Sequence, residues 1–182
     1  WPSDNTDPLG RIKIQWGFSH FFPANTISAH VTRMGKRHLK MAIDVALSGA
    51  FGIDLALDKA TAEERAQIAD AVKLYKERIR PLVMHGELYR LVSPYESPLA
   101  SLSYVSTDKQ KAVVYFYQTK DGNEPRVKLG GLDAHKKYRV EEVSQAKGVT
   151  SRFPANGKVF TGAELMEKGL ENPLNTQFES AV

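Results

Sequence analysis

Asp4 and Asp7 stand three residues apart in the opening segment Trp1-Pro2-Ser3-Asp4-Asn5-Thr6-Asp7, and Pro8 follows at once. Ser, Asn and Thr lie beside or between the two carboxylates. A loop that ends a strand, presents an acid and starts a helix has this composition. An Asp before a Pro is the form of a helix start, with the carboxylate accepting from free backbone N–H groups and the Pro preset for the first turn. Asp7 is therefore read as the cap. Asp4 is left in the loop, where a carboxyl group can act as a general acid if its surroundings tune it. From spacing alone Asp4 also fits a plain turn residue, and both readings stay open at this point. The segment opens the sequence, so the expectation is that this is the downstream part of a larger enzyme.

Other reactive residue types are sparse. His20, His30, His38, His85 and His135 have irregular gaps and form no helical His-x-x-x-His pair, so no metal site is expected. His30, between Ala29 and Val31 at a strand end, is expected to face the same mouth as Asp4 or to make a structural hydrogen bond. Trp1, Trp16, Phe18, Phe21 and Phe22 could form a platform for sugar rings. Helical spacing assigns most of them to the core, and Trp1, beside Asp4, is the exception. Gly130-Gly131 is read as a turn, because no Lys-Ser/Thr follows to cradle a phosphate. Asp54 fits an ordinary strand end and is the main internal alternative for a second catalytic carboxylate.

The composition excludes several classes. With 25 Lys plus Arg against 21 Asp plus Glu, the net charge is +4, and the basic residues are scattered. No basic stripe marks a nucleic-acid partner. Cysteine is absent, which fits a reducing cytosol and a periplasm equally, so localisation stays open. No apolar run approaches the roughly 20 residues that span a bilayer, so no membrane segment is expected.

The elements that must position these residues change character near residue 87. Leu9, Ile12 and Trp16 follow a helical spacing; Thr26 to Thr32 reads as a short strand; Leu39 to Leu47 reads as a helix. Phe51 to Leu57 alternates with period two, hence a strand. Thr61 and Glu64 form a capping box ahead of Ile68, Val72, Tyr75, Ile79 and Leu82, one face of an amphipathic helix. Pro81 should kink or interrupt that helix before Gly86 ends it. The rhythm is βαβα, which argues for parallel strands with crossover helices. From Leu88 the pattern is all strand: Tyr89 to Val92, Ala100 to Val105, Ala112 to Tyr117, Arg126 to Leu129 and Tyr138 to Val143, separated by Gly and Asp turns. Residues 113–117 should be central, with Tyr115 and Tyr117 sharing a face. Gly162 to Gly169 could form one helical turn, and Phe178 to Val182 a closing strand. The expected fold is α/β then all-β.

At this level of detail the residues resemble a known family. The run from Trp1 to Leu9, with Arg11-Ile12-Lys13-Ile14-Gln15 and Gly17, is similar to the acid/base segment of the bacterial α-galactosidases of glycoside hydrolase family 36. The likeness continues in order through Ala29-His30-Val31-Thr32, Asp44-Val45-Ala46-Leu47-Ser48-Gly49, Tyr75-Lys76-Glu77, Arg80-Pro81-Leu82, Gly86, Tyr89-Arg90-Leu91, Ser93-Pro94-Tyr95-Glu96, Leu129-Gly130-Gly131-Leu132-Asp133 and Gly162-Ala163-Glu164-Leu165-Met166. The resemblance implies that residues 1–87 hold the last units of a (β/α)8 catalytic barrel and residues 88–182 a C-terminal antiparallel β-sandwich-like domain. It implies Asp4 as proton donor, a nucleophilic Asp in an upstream Lys-Trp-Asp segment, and Asp4, Trp1 and His30 as substrate contacts. It further implies no cofactor, a galactoside oligosaccharide such as melibiose or raffinose as substrate, and a homo-oligomeric full-length enzyme. One departure is the compact run Thr32-Arg33-Met34-Gly35-Lys36-Arg37, where many relatives carry a longer loop with Pro-Asn-His; it bears on the rim of the mouth and hence on substrate range. An α-N-acetylgalactosaminidase of the same family and a non-catalytic carbohydrate-binding fragment are the alternatives.

Overall fold

The protein is described by a computed structural model covering residues 4, 5, 7–32, 38–145 and 148–182. Helix α1 (Pro8–Phe18) leads through a short 3-10 turn to strand β1 (Ser28–Thr32), helix α2 (Leu39–Ala46) and strand β2 (Ala50–Asp54). Strands β1 and β2 pair in parallel, Ser28 opposite Ala50 through Thr32 opposite Asp54, with α2 as the crossover. The βα rhythm read from the sequence is thus present, and both strands run toward one end, where β1 stops at Thr32 and β2 at Asp54. The strand expected to reach Leu57 ends three residues earlier, because Leu57–Lys59 turns into a 3-10 segment.

Helix α3 (Ala62–Leu74) starts on the expected capping box: Thr61 Oγ1 accepts from Glu64 N at 3.1 Å, and Glu64 Oε2 accepts from Thr61 N at 2.8 Å. Pro81 does not stop it. Proline has no N–H for the carbonyl four residues back and its ring clashes there. The chain answers by widening one turn, Tyr75–Ile79, into a π-helix, and then continues as α4 (Arg80–His85).

The rest is antiparallel. Strands β3 (Glu87–Val92), β4 (Leu99–Val105), β5 (Ala112–Gln118) and β10 (Ser180–Ala181) form a sheet in the order β10-β5-β4-β3, so residues 113–117 are internal as expected. Two small ladders complete it: β6 (Arg126–Val127) with β9 (Leu170–Glu171), and β7 (Lys137–Arg139) with β8 (Val159–Thr161). Helix α5 (Gly162–Glu167) lies between β8 and β9 and carries a second capping box, Thr161 with Glu164. The closing strand is shorter than expected, and β8 and β9 were not legible in the sequence.

The larger of two hydrophobic cores draws on both regions: Ile12, Val31, Met41, Leu47, Ile68 and Ile79 pack with Tyr104, Tyr115, Tyr117 and Val182. The smaller one, around Leu99, Phe116, Val127, Phe153 and Leu165, lies between the other face of the sheet and the small ladders. Trp16 is in the larger core, but Phe21 and Phe22 are exposed, against expectation. Helix α1 ends at Phe18, so the two residues past it have no helical phase to carry them inward.

Candidate functional site

The loop before α1 is held by short-range hydrogen bonds. Asp7 caps the helix as expected, its Oδ2 accepting from Gly10 N at 2.9 Å. Asn5 Oδ1 accepts from Asp7 N at 2.9 Å. The Asn5 side chain lies against Gly10 so closely that a Cβ there would come within 2.5 Å of its Nδ2, which accounts for a glycine in the first turn. Asp4 stands next to this locked turn with an exposed side chain. Trp1 lies outside the described residues.

Alternation on the parallel pair fixes which side chains share a face. Ala29 and Val31 on β1, with Phe51 and Ile53 on β2, pack into the core beneath the helices. Ser28, His30 and Thr32, with Ala50, Gly52 and Asp54, are therefore on the opposite face, ending in Thr32 and Asp54 at the C-terminal edge. His30 is half-buried in the middle of this column, opposite Gly52.

Asp4 and Asp54, far from His30 in sequence, both act on its imidazole through space. Burial lowers the His30 pKa from its ordinary value and the charge of Arg11 lowers it further, while Asp54 and Asp4 pull it back up. The net effect leaves the imidazole neutral at neutral pH, able to donate one hydrogen bond and accept another. Arg11 on α1 is itself buried, which lowers its own pKa. Its Nη2 donates to Ser28 O at 2.7 Å and its Nε to Gln15 Oε1 at 3.4 Å, tying the first turns of α1 to the start of β1. Gln15 Nε2 in turn donates to Val45 O and Ser48 Oγ, each at 3.1 Å, tying α1 to the far end of α2. Carboxylates in the loop before α1 and at the C-terminal end of β2, with a neutral imidazole on β1, are suited to proton transfer and to hydrogen bonds with hydroxyl groups.

Two cavities lie away from these residues. One, of about 810 Å³, lies between the π-turn region, β5 and β7, lined by Ile79, Leu82, Phe116, Leu129 and Val140 among others. Another, of about 390 Å³, follows β2, lined by Ala50, Phe51, Gly52 and Ile53 with Val72 and Arg80. The first is walled mainly by apolar side chains of the sheet region; Asp4, His30 and Asp54 line neither. Among the described residues no group of three or more His, Asp or Glu could hold a metal ion, and no helix is long and apolar enough to cross a membrane.

The chain is similar to proteins of known family along its length. Residues 1–86 match the family model described as Melibiase, and residues 99–182 match that of the glycosyl hydrolase family 36 C-terminal domain. The chain is 35% identical to alpha-galactosidase AgaA of Geobacillus stearothermophilus, over 95% of this chain and 23% of that protein. It is 31% identical to the probable alpha-galactosidase G of Aspergillus terreus, over 100% of this chain and 24% of that protein. Among solved structures, alpha-galactosidase AgaB from Geobacillus stearothermophilus superposes with a TM-score of 0.82 at 34% identity, covering 100% of this chain and 25% of that one. A variant of AgaA from the same organism, in complex with raffinose, superposes with a TM-score of 0.81 at 33% identity, covering 100% of this chain and 26% of that one. The chain thus spans about a quarter of the length of these relatives.

Proposed function

The chain belongs to glycosyl hydrolase family 36, and on that premise we propose that it is part of a retaining α-galactosidase in which Asp4 is the general acid/base. Residues 1–87 are then the last units of the barrel and residues 88–182 its C-terminal β-domain. The groove along β2 is where a further strand and helix of the barrel would lie. The substrate class is a terminal α-linked galactoside of the raffinose type.

The observation that carries this reading is the electrostatic link of Asp4, in the loop before α1, to His30, in the middle of a parallel strand whose column ends at Thr32 and Asp54. Active sites of βα barrels are built at that end of the strands. A retaining glycosidase places two carboxyl groups roughly 5–5.5 Å apart. One attacks the anomeric carbon; the other protonates the departing oxygen and then takes a proton from water. Asp4 serves as the second. The nucleophile comes from the polypeptide upstream, since residues 1–182 contain no Lys-Trp-Asp segment. Neutral His30 faces the same space and hydrogen-bonds a substrate hydroxyl.

The test is leaving-group dependence in the full-length enzyme. Asp4→Asn should lower turnover of melibiose by at least about 100-fold, the scale of general acid catalysis. Glycosylation by an aryl α-galactoside with an acidic leaving group should fall far less, because that departure needs little protonation. Equal losses on both substrates in a folded variant would refute the assignment.

A further inference from the structure

Asp54 has no place in the chemistry just described, yet three observations set it apart from an ordinary strand-end residue. It closes the column that contains His30, one step nearer the C-terminal edge and paired with Thr32. Its side chain is exposed, and it makes no hydrogen bond or ion pair with any described residue. Its charge, like that of Asp4, raises the His30 pKa against the effect of burial. The residue beneath it on the same face of β2 is Gly52, and the next is Ala50. Small side chains there leave the column open for a polar ligand to approach both the carboxylate and the imidazole.

We propose that Asp54 is a substrate-positioning residue that, with His30, hydrogen-bonds hydroxyl groups of the galactose ring. The inference rests on the α-galactosidase reading above and adds to it a residue and a role. An exposed carboxylate at the rim of a sugar site suits this role. It is acceptor-only, and its two oxygens match two neighbouring hydroxyls. It takes no part in proton transfer, so its contribution is shared by every substrate that carries the same ring. A neutral imidazole beside it supplies what a carboxylate lacks, a donor.

The experiment compares Asp54→Ala and the nearly isosteric Asp54→Asn with Asp4→Asn in the full-length enzyme. Readouts are kcat/KM on melibiose and on an aryl α-galactoside with an acidic leaving group, inhibition by free galactose, and the thermal midpoint. Asp54→Ala should lower kcat/KM about 10- to 100-fold, and by a similar factor on both substrates, as expected for lost hydrogen bonds to a charged acceptor. The inhibition constant of galactose should rise by a comparable factor while the thermal midpoint holds. Unchanged galactose inhibition in a folded variant would overturn the proposal. So would a loss confined to melibiose, which would make Asp54 a proton-transfer or aglycon-binding group. Failure of the underlying reading shows separately: the unmodified enzyme would not bind galactose, or Asp4→Asn would lose both substrates equally, and the proposal would fall with it.

Discussion

Removing one hydroxyl group from Tyr115 should destabilise this protein measurably, and the reason lies at the end of α2. A helix leaves its last carbonyls without intrahelical partners. Here every one from Asp44 to Gly49 is satisfied, and four of the donors are phenols. Tyr117 donates to Asp44 O at 3.1 Å, Tyr115 to Leu47 O at 2.9 Å, Tyr104 to Ser48 O at 2.7 Å and Tyr75 to Gly49 O at 2.9 Å. Gln15 and Ser48 serve Val45 O, and Gly49 N serves Ala46 O. Tyr115 has no exposed surface, so water cannot take over when its hydroxyl is removed. Tyr115→Phe keeps the ring and strands a buried acceptor, at a cost of about 1–3 kcal/mol. For a chain of this size each kcal/mol lowers the thermal midpoint by about 2–4 °C. A drop of about 5 °C at pH 7, followed by circular dichroism, is expected. The same three sheet tyrosines also set a pH limit. Burial raises the phenols of Tyr104, Tyr115 and Tyr117 above their ordinary value. An unfolded phenol ionises near pH 10. Above that pH the unfolded chain holds fewer protons than the folded one, so stability is present below about pH 10 and declines as pH rises, by about 1.4 kcal/mol per unit for each phenol. Each Tyr→Phe change should make that decline shallower. A Tyr115→Phe protein within about 0.5 kcal/mol of the parent, with an unaltered alkaline slope, would refute the clamp.

Asp7→Ala should cost about 1 kcal/mol of stability and Asp7→Asn much less, because Asn caps almost as well; chemical denaturation reads both. Gly10→Ala should favour the helix by up to about 1 kcal/mol yet displace Asn5, so thermal stability should hold while turnover of melibiose falls. Asp44 is buried and bonded through Oδ2 to Lys40 at 2.6 Å, Ser180 Oγ at 2.8 Å and Ser144 Oγ at 3.2 Å; Asp44→Ala should cost about 3 kcal/mol in urea unfolding, and Lys40→Met less, since Lys40 is one-third exposed. Residues 1–182 alone should release no aryl alcohol from an aryl α-galactoside beyond an Asp4→Asn control, and activity of the segment that vanishes in that control would place a second catalytic carboxylate within it.

Elements fixed by local chemistry were legible in the sequence. The Asp7-Pro8 helix start and the Thr61-x-x-Glu64 box depend on side chains bonding backbone within four residues, and both stand as read. The strands of two or three residues at Val159–Thr161 and Leu170–Glu171 were not legible, because a period of two cannot declare itself over so few positions and their partners lie 20 or more residues away in the chain. Proline signalled a break near residue 81, but whether a helix stops or widens is decided by what packs around it; buried Tyr75 and Ile79 hold the segment helical. Alternation put Tyr115 and Tyr117 on one face, yet no pattern along β5 could reveal that their hydroxyls meet the end of α2. The same limit applies to the candidate site. Asp4, His30 and Asp54 were singled out by type and position, Asp54 as an alternative catalytic carboxylate, whereas the pairing that sets Asp54 beside Thr32 in the His30 column came only from the parallel register.

That register depends on contacts at the end of the molecule opposite the site. In a parallel β-α-β unit the crossover helix runs back from the C-terminal edge of the strands, so the C-terminus of α2 lies near the strand starts, where Ala50 N bonds Ile27 O at 2.8 Å. The tyrosines of β4 and β5 grip α2 there, while Lys40 and Asp44 bond Ser180 of β10 further along the same helix. Arg90 on β3 bonds Ser19 just past the end of α1. The antiparallel sheet therefore holds both helices that frame β1. A shift of α2 along its axis would move Asp54 relative to His30, because the helix and β2 are joined by only three residues, 47–49. The sheet bears no residue of the candidate site, yet it fixes the geometry on which Asp4, His30 and Asp54 depend.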